Sequence, residues 1–386
     1  MNRREFLKTA GIGLAGLGLA PQWNAFAQDA KFAGKPNIIF ILSDDVGLSE
    51  ISCCGGDHYK TPHIDELAKT GVRFEYCYST PLCGPSRCES LTGRYPFRTG
   101  LNSNNSHDAV SPDDEIMMPT VMKTAGYKTA LVGKWGQICL GPGEWGFEEY
   151  LSFTGSGRYW SSQKENYVVN GKEKKLEEKE YLPDLMHDFL VDFINRNKEN
   201  PFYVHYSMSH IHGPILRTPD SKGPESEYYA DNVAYMDKLV GKLTAELDRL
   251  KLREKTLIIF AGDNGTARFG LEKSTLGGKK IYGQKASMEE GGSRVPMIAS
   301  WIGTAPAGKV CQDLTDFSDF FPTFAELGGA KLPEGVTIDG QSFASQLKGE
   351  KGKPREWVYV ELNGKSYVRN SRYKLTNSGE MFDMKE

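Results

Sequence analysis

Short apolar runs alternate with helical patterns along most of this chain, and two of the runs end in acidic residues. The run from Ile38 to Leu42 leads into Asp44-Asp45, and the run "KTLIIFAGDNG" at 255–265 contains Asp263-Asn264. A short apolar run bounded by polar residues is typical of a strand buried on both faces. Alternation of such strands with helices predicts an α/β fold, with a large, mostly parallel sheet sandwiched by helices.

The remaining elements follow from the same patterns. Further strands are predicted at 128–133, 201–207 and 295–301, and helices in "TPHIDELAKTGVRF" from Pro62 and at 181–196, 228–250 and 315–328. The segment 155–180 is predicted to be a surface insertion or a substrate-facing loop. From about 355 the residues alternate around Asn363-Gly364, which predicts a hairpin and a small C-terminal antiparallel sheet.

The two acidic strand ends predict a metal site. Parallel sheets bind ligands at the carboxyl ends of their strands, so these side chains should meet at one edge. Adjacent Asp44 and Asp45 cannot both be buried and ionised without a cation. A single strand-end Asp is more often a turn residue or a helix cap. Two oxygen-rich pairs at equivalent positions instead favour a hard cation such as Ca²⁺ or Mg²⁺.

Composition excludes several classes of protein. The chain has 386 residues and a formal net charge of -3, without a long basic run, so we expect no nucleic-acid partner. Seven cysteines occur, and no pair has C-x-x-C spacing, which argues against structural zinc. The odd number leaves at least one cysteine without an internal partner.

The N-terminus has the features of an export signal. Arg3-Arg4 precede a short apolar stretch, and Ala25-Phe26-Ala27 supply small residues at a cleavage site. The stretch is too short to span a bilayer, so we expect 1–27 to be cleaved, with no membrane association afterwards. The paired arginines favour the twin-arginine route over an ordinary secretory signal. A periplasmic or secreted bacterial protein is predicted.

The segment "STPLCGPSRCESLTGRYPFRTG" at 79–100 carries a family resemblance. Cys83 to Arg94 match C-x-P-S-R-x-x-x-[LM]-T-G-R, the motif of the sulfatase family. The chain resembles that family in further landmarks, in the same order: "SDD" at 43–45, "GKW" at 133–135, "HGP" at 212–214, "GDNG" at 262–265 and "GQKASMEEGGSRVP" at 283–296. The resemblance implies an alkaline-phosphatase-like catalytic domain at 36–350, followed by a C-terminal module at 351–386. The ending "GEMFDMKE" resembles a point where relatives continue, so we expect a truncated sequence.

In sulfatases the motif cysteine is oxidised by a separate maturating enzyme to formylglycine, whose aldehyde hydrates to a geminal diol. One hydroxyl attacks sulfur, and loss of the proton from the other expels sulfate. A serine ester would instead require water for its removal. The resemblance assigns formylglycine to Cys83 and implies that Asp44, Asp45, Asp263, Asn264 and the modified Cys83 bind the metal. We expect Ca²⁺, with Mg²⁺ as the alternative.

The resemblance also assigns the polar residues around the nucleophile. Arg87 would steady the modified side chain, and Lys134 and Lys285 would contact the sulfate. His212 would protonate the leaving alcohol, while His210 is a nearby alternative and a substrate-binding candidate.

One position departs from the family. Relatives have G-K-W-H where this chain has "GKWG", so Gly136 replaces a histidine thought to accept the diol proton. His107, His205 and His210 are candidates to substitute for it. Slow sulfate release, a variant pocket and partial loss of activity are the other expectations.

We therefore predict a sulfuric ester hydrolase acting on a sulfated carbohydrate. One alternative is a phosphoester or phosphonate monoester hydrolase of the same superfamily. Another is a sulfated-glycan binding protein with impaired turnover because of Gly136. A third is a disulfide protein in which Cys83 pairs with Cys77 or Cys88.

Overall fold

The computed structural model describes residues 34–162 and 166–384. The predicted export signal at 1–27 lies outside the described residues. Within those ranges, no helix combines the length and the apolar character that crossing a membrane requires.

The strands of the described residues follow one another along the chain in this order: β1 (Asn37–Ser43), β2 (Gly71–Tyr78), β3 (Lys128–Gly136), β4 (Glu149–Thr154), β5 (Asn166–Val169), β6 (Lys172–Lys175), β7 (Phe202–Ser207), β8 (Thr256–Gly262), β9 (Thr275–Leu276), β10 (Lys279–Lys280), β11 (Arg294–Ser300), β12 (Lys309–Asp316), β13 (Val358–Leu362), β14 (Lys365–Arg369), β15 (Tyr373–Thr376) and β16 (Met381–Asp383).

In the described chain, ten of these strands form one large sheet in the order β12-β2-β11-β8-β1-β7-β3-β4-β5-β6. Strand β1 lies at its centre and pairs in parallel with β7 and β8. The predicted, mostly parallel sheet is confirmed, and the apolar runs at 128–133, 201–207 and 255–265 each correspond to one of its strands. The run at 295–301 corresponds to β11, which is antiparallel to both of its neighbours.

Helices cover both faces of the sheet. They are α1 (Pro62–Lys69), α2 (Cys83–Thr92), α3 (Pro96–Thr99), α4 (Met118–Thr124), α5 (Leu182–Asn197), α6 (Tyr228–Arg249), α7 (Glu290–Ser293), α8 (Phe320–Gly328) and α9 (Ala344–Leu347).

The side chains of β1 alternate between two hydrophobic cores. Phe40 packs in the core that includes Phe320 and Phe324 of α8, and Ile39 packs in the core that includes Leu239 of α6. Because successive residues of a strand point to opposite faces, a strand with a core on each side is apolar throughout. This burial explains the unbroken apolar run at residues 38–42.

A second sheet closes the described chain. Strands β13 to β16 form a four-stranded antiparallel sheet within the described residues, as the alternating tail predicts. The turn between β13 and β14 consists of Asn363 and Gly364, with φ values of 50° and 76°. Positive φ at both central positions is the geometry that favours Asn-Gly in two-residue hairpins. Tyr367 of β14 packs against Tyr78 of β2, which fixes this sheet to the large one.

The segment at 155–180 is only partly a loop. It contains the antiparallel hairpin of β5 and β6, which extends the large sheet beyond β4. Residues 163–165 within it lie outside the described ranges.

Candidate functional site

The two acidic strand ends meet, as predicted. Ser43 at the end of β1 pairs with Gly262 at the end of β8, so Asp44 and Asp263 leave neighbouring strands at the same level. Asp45 has a φ of 61°, and its backbone N–H donates to Asp263 Oδ1 at 3.0 Å. The left-handed conformation turns the chain after the strand, and both adjacent carboxylates therefore face one site.

Cys83 lies beside these carboxylates at the first residue of α2. Its Sγ is 3.5 Å from Asp44 Oδ1 and 3.8 Å from Asp45 Oδ1. Asp44, Asp45, Cys83 and Asp263 are buried and offer ligand atoms that all lie within 4.8 Å of one another. The sequence does not predict this helix, because every residue of α2 is buried and its sequence lacks an amphipathic pattern.

The donor atoms fit a hard divalent cation. Three carboxylates converge, and Asn264 adds an amide whose Nδ2 donates to Asp45 Oδ1 at 2.9 Å. The Oδ1 atom of Asn264 is buried without a hydrogen-bond partner among the described residues. A buried acceptor of this kind is costly unless something binds it. An ion coordinated by oxygen ligands would satisfy this atom and reduce the repulsion between the carboxylates.

Lys134 lies at the inner end of the site. Its Nζ donates to both carboxylate oxygens of Asp44 at 2.8 Å, and both side chains are fully buried. Burial alone would raise the pKa of Asp44, but Lys134, with smaller contributions from His212 and Arg87, holds that pKa below its usual value. The carboxylate is therefore ionised at neutral pH.

Arg87, one helical turn after Cys83, ties α2 to the strand ends. Its Nε and Nη2 donate to Asp263 Oδ2 at 3.0 and 2.7 Å, and Nη1 donates to Ser207 at the end of β7. A planar guanidinium can make these bonds in fixed directions, whereas an ammonium cannot. Arg87 therefore fixes the orientation of the helix that begins with Cys83.

Lys285 and His212 approach from the solvent side. Lys285 Nζ donates to Asp45 Oδ1 at 2.5 Å, and His212 Nε2 is 3.7 Å from Asp45 Oδ2. His212 Nδ1 is 2.6 Å from the carbonyl oxygen of Gly213, which can only accept a hydrogen bond. Nδ1 therefore carries a proton, and Nε2 is the nitrogen that can exchange one with a ligand in the site.

The unmodified thiol at position 83 is a poor nucleophile. Burial, reinforced by the neighbouring Asp263, raises the pKa of the Cys83 thiol above its ordinary value. A cysteine that attacks substrate directly needs the opposite shift, so this environment disfavours thiolate catalysis.

The structure does not bring His210 to the site surface. His210 is completely buried, and its Nε2 is 3.0 Å from the hydroxyl of Tyr181. Burial lowers the pKa of His210 to about 3, so it remains neutral. Its position does not favour the predicted substrate-binding role, whereas His212 lies beside the carboxylates.

The other candidates to replace the family histidine also differ in exposure. His205 is buried against Phe40, and its Nδ1 contacts the hydroxyl of Tyr203 at 3.2 Å. His107 has a side chain that is 54% exposed beside Asp108. Among these two and His210, His107 is thus the one that solvent reaches.

The backbone at Gly136 explains why the position carries no side chain. Its φ is 87°, and a Cβ built there would lie 3.2 Å from Cδ of Arg87. A larger residue would need both a disfavoured backbone conformation and a shift of Arg87.

Two amide side chains near the nucleophile were not predicted. Asn104 Oδ1 accepts a hydrogen bond from the backbone N–H of Gly84 at 2.9 Å. Gln137 Oε1, directly after Gly136, is buried without a hydrogen-bond partner among the described residues and would lie 3.4 Å from a Cβ on Gly84. In the sequence, Gln137 could have been noticed only because it directly follows Gly136, the position that departs from the family motif.

Comparisons with known proteins agree with this geometry. A sequence model of the sulfatase family matches residues 36–330. Arylsulfatase D of Homo sapiens is 29% identical over 91% of this chain and 74% of its own length. N-acetylgalactosamine-6-sulfatase of Canis lupus familiaris is 30% identical over 97% of this chain and 76% of its own length. The structure of Ps i-CgsB in complex with k-i-k-neocarrahexaose superposes with a TM-score of 0.81, at 29% identity, over 91% of this chain and 86% of that one.

Fold and site together define a hydrolase of sulfuric esters on an alkaline-phosphatase-like scaffold. The chain belongs to the sulfatase family.

Proposed function

We propose that this protein removes sulfate from a sulfated carbohydrate, with formylglycine at position 83 as the nucleophile and a divalent metal, Ca²⁺ or Mg²⁺, beside it. The observation that carries the proposal is the cluster of Asp44, Asp45, Asp263 and Cys83, with ligand atoms within 4.8 Å of one another. The carbohydrate substrate is supported by Ps i-CgsB, whose structure contains a neocarrahexaose.

The metal would be held by Asp44, Asp45, Asp263, Asn264 and residue 83. When bound, it would supply positive charge that stabilises sulfate oxygens and lowers the pKa of a hydroxyl. The buried Oδ1 of Asn264, which lacks a partner among the described residues, supports this ligand set.

The surrounding side chains each have a chemical task in this proposal. Lys134 and Lys285 bind the sulfate oxygens as fixed cations while negative charge develops on them. His212 donates a proton from Nε2 to the departing alcohol, since its Nδ1 is committed to the Gly213 carbonyl. Arg87 holds Asp263 and the start of α2 in register.

The alternatives have less support. A disulfide from Cys83 is not favoured, because all seven cysteines, which lie in the described ranges, are free. The match to the sulfatase family disfavours a phosphoester hydrolase. A protein whose turnover is impaired by Gly136 would bind sulfated sugars without releasing sulfate, and a sulfate-release assay distinguishes this case.

The test of the proposal is turnover by the mature protein. Side-by-side assays with nitrophenyl sulfate and nitrophenyl phosphate should show faster release of sulfate. A screen of sulfated mono- and disaccharides, with free sulfate as the readout, should identify a carbohydrate substrate, and Cys83→Ala should abolish both activities. Faster phosphate release, or binding of sulfated sugars without sulfate release, would overturn the proposal.

We further propose that the protein is exported after modification. The twin-arginine motif at residues 3–4 supports this order, because folded export lets a cytoplasmic maturating enzyme reach Cys83 first.

A further inference from the structure

One long loop starts and ends at the site. It leaves β8 through Asp263 and Asn264 and returns at Lys285, whose backbone N–H donates to the carbonyl oxygen of Thr266 at 2.9 Å. We name residues 266–285 the recognition loop. Binding residues are disproportionately found on loops that a rigid scaffold positions.

The recognition loop is held in place by a buried carboxylate. Glu50 accepts hydrogen bonds from Thr266 Oγ1 at 2.7 Å and from Ser274 Oγ at 2.8 Å. Burial raises the pKa of Glu50, and the hydroxyl donors only partly offset it. These contacts bind the first half of the loop to the residues that follow β1.

The second half of the recognition loop is a small hairpin, β9 to β10. The backbone N–H of Gly278 in its turn donates to Asp57 Oδ2 at 2.5 Å, and Gly277 donates to the carbonyl oxygen of Gly55 at 3.2 Å. The loop therefore presents a preorganised surface beside the site, so binding there would cost little ordering entropy.

That surface is basic in an otherwise acidic chain. Between residues 267 and 284 there are four basic side chains and one acidic side chain, Glu272, whereas the whole chain has a formal net charge of -3. The four basic side chains are all exposed: Arg268, Lys273, Lys279 and Lys280. Within the described ranges, no carboxylate forms an ion pair with any of them, so their charge is available to a ligand.

The recognition loop also presents aromatic rings. Phe269 is 49% exposed, and its ring lies 3.1 Å from a Cβ built on Gly213, next to His212. Tyr282 is 80% exposed, three residues before Lys285. Exposed aromatic side chains flanking a polar site are typical of binding surfaces.

Resting on the proposed function, we infer that the recognition loop binds an anionic glycan chain that extends from the sulfate pocket. The ligand is an oligosaccharide with further sulfate or carboxylate groups besides the ester that is cleaved. Lys279 and Lys280 contact those groups, and Phe269 packs against a sugar ring near His212. Lys280 precedes Lys285 by five residues, and the extended reach of such a segment is about 17 Å. The second anionic group therefore lies within a few sugar units of the first.

The test uses the modified, metal-loaded enzyme and its Lys279→Gln/Lys280→Gln variant. The matched control is Lys251→Gln/Lys255→Gln, which removes the same charge from exposed residues beyond the amino end of β8, at the opposite edge of the sheet. The probe is a fluorescein-labelled dextran sulfate oligosaccharide, measured by anisotropy at low ionic strength, where charge contacts are least screened. Neutral dextran of the same length is the second probe.

We expect the Lys279/Lys280 variant to bind dextran sulfate about three- to tenfold more weakly, because exposed ion pairs contribute only small interaction free energies. The control should bind as the unaltered enzyme does, and dextran should bind to none of them. Turnover of nitrophenyl sulfate should be equal in all three enzymes. Equal dextran sulfate binding by the two variants, or a matching loss of nitrophenyl sulfate turnover, would overturn the inference. Because the binding assay needs no turnover, an unaltered enzyme that releases no sulfate would contradict only the proposed function.

Discussion

At the scale of single residues, the contacts of Arg87 fix the position of the nucleophile, Cys83. Arg87 is buried and shares its guanidinium between Asp263 and Ser207, which lie at the ends of different strands. Removing one partner of a buried pair leaves an uncompensated charge, so such contacts tolerate little change. Because Cys83 lies one turn earlier on α2, these contacts of Arg87 also fix the position of Cys83.

Gly136→His tests whether restoring the family residue would help. We expect no gain in sulfate release, because the φ of 87° disfavours a side chain and its Cβ would lie 3.2 Å from Arg87. The backbone conformation alone should cost about 1–2 kcal/mol in the free energy of unfolding. Urea denaturation and nitrophenyl sulfate turnover measure both effects. Faster turnover by the variant would contradict this expectation and show that the site accommodates a histidine at position 136.

His212→Gln tests the proton donor. A general acid matters most when the leaving group is poor, so the loss should be greater for phenyl sulfate than for nitrophenyl sulfate. General acid catalysis contributes about 10²- to 10⁴-fold, which bounds the larger loss. The control is His63→Gln, which alters an exposed histidine on α1. An equal loss with both substrates would assign His212 to binding alone.

At the scale of structural elements, two strands carry side chains whose burial or contacts should affect stability or activity. Strand β7 carries His205 into the core, and Tyr78 of β2 joins the small C-terminal sheet to the large one. Both features lie away from the reacting atoms, yet each gives a measurable prediction.

The buried histidine of β7 predicts acid sensitivity. Burial lowers the pKa of His205 from 6.5 to about 3, so below pH 6.5 the unfolded chain binds a proton that the native protein does not. Stability should therefore fall as the pH decreases between these values, by about 1.4 kcal/mol per pH unit for this residue. His205→Gln should reduce that slope in urea denaturation between pH 6 and 4. An unchanged slope would contradict the burial argument.

The C-terminal sheet should influence the site through Lys285. Arg369 of β14 donates to Glu290 at 3.0 Å, and Lys374 of β15 donates to the carbonyl oxygen of Met288 at 2.5 Å, so the segment after Lys285 is held from this side. Arg369→Gln should lower kcat/KM for nitrophenyl sulfate by about tenfold, because small displacements of positioning groups are costly. Arg372→Gln, an exposed change in the turn between β14 and β15, should have no effect. Equal activity of the two variants would contradict an influence of the C-terminal sheet on the position of Lys285.

The sequence predicts the elements whose burial is uniform. Strand β1 is apolar throughout because both of its faces are covered, whereas β2 contains Arg73 and Glu75, which pair with each other and interrupt its apolar pattern. Helix α2 is buried on all sides, so no amphipathic period marks it. Motif residues predict most of the site. The contact of Arg87 with Ser207 joins residues 120 positions apart, which no local pattern encodes.

At the scale of the whole molecule, strands and helices from distant parts of the chain meet at one edge of the large sheet. Its buried carboxylates are compensated by Lys134, Arg87 and Lys285. A divalent ion would add to this compensation, so the fold and the site should be thermodynamically linked.

Metal removal should therefore destabilise the protein. Ca²⁺ at 100-fold above its Kd should raise the free energy of unfolding by about 2.7 kcal/mol relative to the chelated protein. Asn264→Ala removes one proposed oxygen ligand and should reduce this gain at the same ion concentration. Thermal denaturation with and without chelator, repeated with Mg²⁺, measures the effect. Identical melting temperatures in all conditions would contradict a metal at this site.

The most direct measurement is the mass of the peptide that carries residue 83, taken from protein that is active on nitrophenyl sulfate. We predict an aldehyde at this position, seen as loss of the thiol mass and as reaction with a hydrazine probe. Full activity in a preparation whose residue 83 is entirely unmodified cysteine would contradict the account.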